Sequence, residues 1–126
     1  MLEKVDLLKK LSKEDYKEKM SQLETKIGQL QRECKALKIP IMIVFEGFGA
    51  AGKGLQIGKL IQSMDPRGFH VYPVKNETEE ERMHPFLWRF WIKTPEKGRI
   101  AIYDGSWYRR VLIDRFEKRT KEKELP

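Results

Sequence analysis

Residues 45–61 read FEGFGAAGKGLQIGKLI, and the fold of the chain turns on them. An apolar run, Ile41-Met42-Ile43-Val44-Phe45, leads in, and an amphipathic run, Leu55 to Met64, leads out. The first is short, β-branched and uninterrupted, the pattern of a strand buried on both faces in a parallel sheet; the second has helical spacing. Between them Gly47-x-x-x-x-Gly52-Lys53 matches the opening of a P-loop. Glycine there lets the backbone curl so that successive N–H groups face phosphate oxygens. The following helix adds the positive end of its dipole, and Lys53 adds a full charge. A glycine-rich strand-to-helix turn with no ligand is the plainer reading of the same residues. The strand before and the helix after favour the phosphate cradle, with Gly47, Gly49, Ala50, Ala51, Gly52, Lys53 and Gly54 as its candidates.

Working outward, Asp65-Pro66-Arg67-Gly68 is turn chemistry, and Phe69 to Val74 reads as a second strand. Thr78-Glu79-Glu80-Glu81 is a capping box opening another helix, which Pro85 either kinks or restarts and which Phe86, Leu87, Trp88, Phe90 and Trp91 make aromatic. Thr94 to Gly98 ends it. Arg99 to Asp104 is a third strand, and Gly105 to about Arg119 a last helix. Upstream, Ser12 can cap a helix of roughly 25 residues. Tyr16, Met20, Leu23, Ile27, Leu30, Cys34 and Leu37 recur along it at alternating spacings of four and three, one apolar seam for packing against the domain or a partner helix. Pro40 breaks it.

Strands alternating with helices give an α/β fold, a P-loop kinase-like parallel sheet flanked by helices. Residues 1–126 are expected to form a single, partial domain, with a helical N-terminal region at 1–38 and the α/β core at 39–119. The strands near 41–46, 69–74 and 99–104 are expected to run parallel. That places Gly47 to Lys53 and Asp104 at one carboxyl edge, where phosphate sites of open α/β sheets form.

The totals agree with one domain: 126 residues, 40% hydrophobic and 36% charged. A net charge of +7 favours polyanionic partners without choosing among nucleic acid, phosphorylated metabolites, inorganic polymers or acidic membranes. Cys34 is the single cysteine, which excludes an internal disulfide and points to a reducing, cytoplasmic setting. Charges interrupt the N-terminal apolar residues, so no signal peptide is expected, and no window is apolar enough for a membrane span.

Asp104 ends the apolar strand RIAIYD. An acid there in a P-loop protein helps hold magnesium on the phosphates; capping the next helix is the alternative, and the two are compatible. Arg109, Arg110 and Arg115 form a cationic helix face suited to a chain of phosphates, or else simply a solvated basic helix.

Taken together, these pieces resemble the family-2 polyphosphate kinases, especially the polyphosphate:AMP phosphotransferases, from about Leu11 to Phe116. VFEGFGAAGKG is similar to that family's VFEGxDAAGKG loop, and MDPRGFHVYPV to its LDPRGF segment. LWRFW and IAIYDGSWYRRVLIDR are similar to its aromatic helix and its DRSWYxRxxxER motif. The resemblance implies a P-loop kinase core with a helical lid and magnesium-dependent phosphoryl transfer between inorganic polyphosphate and a nucleoside mono- or diphosphate. By position it makes Lys53, Asp104 and Arg110 the catalytic candidates, Asp104 the metal ligand, and Asp114 and Arg115 the later acid–arginine pair.

Three departures stand out. Glycine occupies position 49 in place of aspartate and position 105 in place of arginine, and the sequence stops at Pro126, before the lid. With Gly54 offering no hydroxyl and Gly49 no carboxylate, Asp104 is left as the expected protein ligand for magnesium. Two readings follow: a phosphotransferase, or a degenerate domain that binds polyphosphate or nucleotide or supports an active neighbour. A homo-oligomer or a tandem homologous domain would suit either. A three-stranded core also leaves an edge and an apolar helix face uncovered, so the isolated chain is expected to be poorly stable or to self-associate. A basic nucleic-acid binder is the third possibility, and no nucleic-acid motif supports it.

Overall fold

The computed structural model describes residues 10–110. Helix α1 (Lys13–Ala36) is followed by strand β1 (Ile41–Phe45), helix α2 (Lys53–Gln62), a short 3-10 turn (Pro66–Gly68) and β2 (Phe69–Pro73). Two single-turn helices, α3 (Glu79–Arg82) and α4 (Trp88–Trp91), precede β3 (Ile100–Asp104). The sheet order is β1-β3-β2, and both pairs are parallel. The register is flush: Ile41, Ile100 and Phe69 stand level at one end, and Phe45, Asp104 and Pro73 at the other.

The order corrects one expectation. β1 is not buried on both faces; it lies at an edge of the described sheet, and Met42 is exposed. The doubly covered strand is β3, where Ile100, Ala101, Ile102 and Tyr103 are all buried. Alternation along β3 divides the core. Ile100 and Ile102 join Ile57 and Met64, with Ile41, Ile43 and Ile27 packed around them, beneath α1 and α2. Ala101 and Tyr103 join Phe90 on the other face, with Val44, Tyr72, Phe86 and Trp107. The Tyr103 hydroxyl donates to Lys93 O at 2.9 Å. Burial, with Tyr72 beside it, pushes its phenol above the ordinary value.

Ser12 caps α1 as expected, its Oγ accepting from Asp15 N at 3.0 Å, with Glu14 and Asp15 in the first turn where the dipole favours them. The seam, however, is only half used. Met20, Ile27 and Cys34 are half-buried, whereas Tyr16, Leu23, Leu30 and Leu37 remain exposed. The buried residue of α1 is polar: Gln31. Its Nε2 donates to Asp65 O at 3.0 Å and its Oε1 accepts from Asp65 N at 2.7 Å, so one amide satisfies both backbone groups where α1 crosses the turn after α2. In the same turn Arg67 holds the Asp65 carboxyl down to about 2, through its guanidinium first and its backbone N–H second. Gln31→Ala is therefore expected to destabilise the fold by about 1–3 kcal/mol through the orphaned Asp65 groups, read as a lower urea midpoint.

Thr78 and Glu81 form the expected capping box, but the helix it opens lasts one turn. Pro85 restarts the chain instead of kinking it, with Trp88 N donating to Pro85 O at 2.8 Å. Proline lacks an N–H and disfavours helical backbone at the residue before it. Of the last helix expected from Gly105 to Arg119, only its first turn falls among the described residues.

Candidate active site

The carboxyl ends of the three strands border a cleft of about 440 Å³. Glu46, Gly47, Gly49 and Lys53 line one side, Asp104, Gly105 and Arg109 the middle, and Pro73, Val74 and Lys75 the other. The loop after β1 is shaped by its glycines. Gly52, the N-cap of α2, sits at φ 80°, and a Cβ on Gly47 would lie 3.1 Å from Ala51 Cβ. The loop closes with Ala51 N donating to Phe48 O at 3.0 Å. Lys53 begins α2, two residues earlier than the periodicity suggests, and its Nζ donates to Gly47 O at 2.8 Å and Phe48 O at 3.1 Å. The ammonium thus sits over its own loop, at the edge of the cleft.

The sequence-derived candidates divide by position. Gly47, Gly49, Lys53, Asp104 and Arg109 meet in the cleft. Ala50, Ala51 and Gly52 complete the loop and Gly54 lies in the first turn of α2, off the cleft lining. The Arg110 guanidinium stands 4.2 Å from the centre of the Phe86 ring. Asp114 and Arg115 lie outside the described residues. Arg109 braces the wall beyond β2, donating to Asn76 Oδ1 at 3.1 Å and to Val74 O at 3.5 Å.

Two charged lining residues were missed by the sequence reading. Lys75 follows β2 directly, and Glu46 follows β1, one position before the loop. Ser106, buried at 1% exposure, fixes Glu46. Its Oγ accepts from Tyr108 N at 3.2 Å, so its one proton goes to Glu46 Oε1. This contact and the Gly105 N to Phe45 O bond at 2.9 Å lock the ends of β1 and β3 together. The signal for Glu46 was available in the sequence: parallel strands in register place the residue after Phe45 beside the residues after Asp104.

Asp104 therefore shares the cleft with a second carboxylate. No group of three or more His, Cys, Asp or Glu among the described residues could cage a metal. Magnesium is commonly held by one or two carboxylates together with substrate phosphates, a donor set that Asp104 and Glu46 fit.

The two glycine departures differ physically. A Cβ on Gly49 meets nothing within 4 Å, whereas Gly105 sits at φ 78°, where L side chains are strained. Gly49→Asp is expected to change stability by less than about 0.5 kcal/mol. Gly105→Arg is expected to cost about 1–2 kcal/mol. Thermal melts of the two variants side by side check both.

The profile of one protein family, polyphosphate kinase 2, matches residues 10–125. The chain belongs to the polyphosphate kinase 2 family. It is 40% identical over 117 residues to a polyphosphate:AMP phosphotransferase of Pseudomonas aeruginosa, covering 93% of this chain and 24% of that one. It is 33% identical over 106 residues to a GDP-polyphosphate phosphotransferase of Mycolicibacterium smegmatis, covering 84% and 38%. The solved polyphosphate kinase 2 of Arthrobacter aurescens superposes with a TM-score of 0.85 at 28% identity, covering 98% of this chain and 47% of that one. The parallel sheet flanked by helices is thus the polyphosphate kinase 2 fold, and the chain spans about a quarter of the length of the polyphosphate:AMP phosphotransferases it matches. Among the described residues no helix is long and apolar enough to cross a membrane.

Proposed function

We propose that this chain carries the phosphate-binding part of a phosphotransferase acting between inorganic polyphosphate and a nucleoside mono- or diphosphate. The cleft carries the reading: a glycine-shaped loop, Lys53, Arg109 and the Asp104–Glu46 pair meet at the carboxyl edge of a parallel sheet. In the reaction a terminal phosphate oxygen of the nucleotide attacks the terminal phosphorus of the polymer. One P–O bond forms, the P–O bond to the neighbouring phosphate breaks, and the shortened polymer leaves with that bond's electron pair. Loop amides and Lys53 stabilise the charge on the transferring group. Asp104, with Glu46, would hold magnesium, which supplies further neutralisation of phosphate charge when bound. Arg109 keeps the β2 wall in place.

A second reading is a domain that binds polyphosphate while catalysing weakly. Gly49 favours it, since no carboxylate projects from the loop at that position. Turnover assays with polyphosphate, magnesium and AMP, ADP or GDP separate the two. Ready phosphoryl transfer by the parent chain, little changed in Gly49→Asp, supports the first; transfer that is slight in the parent and rises in Gly49→Asp, or tight binding without transfer in either form, supports the second.

A further inference from the structure

The wall formed by residues 74–76 is held more firmly than an exposed connection needs. Val74 N donates to Asp104 O at 3.0 Å, Arg109 holds Val74 and Asn76, and Arg89 Nη2 donates to Lys75 O at 3.0 Å. Arg89 is unusual. It is 7% exposed, its Nη2 lies 3.4 Å from Glu81 Oε2, and its Nε is buried without a hydrogen-bond partner. Removing a guanidinium from water is costly, and an incompletely paired one recovers less of that cost than a well-matched pair. What the arrangement achieves is to fix the backbone of Lys75. Lys75 is among the residues lining the cleft, is exposed, and no hydrogen bond or ion pair among the described residues engages its ammonium.

We propose that Lys75 is a phosphate-contacting residue, positioned by Arg89, and that a bound linear polyphosphate extends across the cleft from Lys53 toward the carboxyl end of β2. The proposal rests on the polyphosphate reading above and deepens it. A chain of equivalent anions requires several spaced cations, and Lys75 supplies one on the side opposite Lys53. Arg89 touches no substrate; it acts through the Lys75 backbone.

The test is a binding titration of the full chain with fluorescently labelled polyphosphate of defined length, repeated over a salt series. Lys75→Ala is expected to weaken binding about tenfold, and to make the dependence of log affinity on log salt shallower by about one, as for loss of one phosphate contact. Lys75→Arg should retain both. Arg89→Met should weaken binding in the parent chain and cause little further loss in the Lys75→Ala background, a coupling that general destabilisation would not produce. Arg89→Lys replaces it where Arg89→Met does not fold. Unchanged affinity and salt slope in Lys75→Ala, with binding lost in Lys53→Ala, overturns the proposal and leaves the phosphate cleft standing. Insensitivity to both lysines overturns the proposal and the polyphosphate reading together. Equal loss from the Arg89 variant in both backgrounds removes Arg89 from the account.

Discussion

Lys53→Ala is expected to weaken polyphosphate binding on the order of 100-fold and to suppress any phosphoryl transfer by about 10²–10³. The reason is local. Lys53 opens α2 and is held over Gly47 O and Phe48 O, so its charge is prepositioned above the loop before any phosphate arrives. A hydrogen bond to a charged group contributes about 1.5–3 kcal/mol, and with two of its three protons on Gly47 O and Phe48 O the ammonium keeps one for a phosphate oxygen. The side chain is not part of either core cluster, so the unfolding midpoint should move little. Lys53→Arg separates charge from shape: it keeps the salt sensitivity but cannot reproduce the compact contact. Binding that survives Lys53→Ala at low salt would remove the loop from the site.

The largest loss of stability is expected from Ile102→Ala, about 3–5 kcal/mol. Ile102 is completely buried at the centre of β3, between β1 and β2, and packs with Ile57, Met64 and Ile100. Neighbouring strands on both sides restrict collapse around the missing atoms, so a cavity term adds to the transfer term. Domains of this size are stable by only about 5–15 kcal/mol, so much of the total would be lost. Ile43→Ala, on the same face but in the edge strand β1, should cost less because Ile43 is only partly buried. Urea unfolding of the two variants compares the strands directly. A larger loss at Ile43 would contradict the placement of β3 as the core of the sheet.

Local chemistry made much of this fold legible. The Ser12 cap, the Thr78–Glu81 box, the three strands and the glycine loop each follow from residues within a few positions of one another. So did the meeting of Lys53 and Asp104, because parallel strands bring their carboxyl ends to one edge. What local pattern could not supply was sheet order. IMIVF is the more apolar string, and only the β1-β3-β2 order decides that IAIYD is the one enclosed. The α1 seam misled for a related reason. Its spacing identifies an apolar stripe, but the crossing with the Asp65 turn favours the face carrying Gln31, whose amide meets two backbone groups at once. Ser106 and Arg89 were invisible for the same cause, since their partners lie 60 and 14 residues away in sequence.

The level strand ends carry a consequence of their own. Phe45, Asp104 and Pro73 finish in one row, and the functional groups of the cleft hang from the residues at or just beyond that row. A strand advances about 3.3 Å per residue and turns its side chain to the opposite face at each step. Losing one residue from any of the three strands would draw its group back by more than a hydrogen bond's length tolerance and point it into the core. The site is therefore as intolerant of changes in segment length as of changes in residue identity. Variation in this chain has room at the exposed surface of α1, but none in the count of residues along each strand.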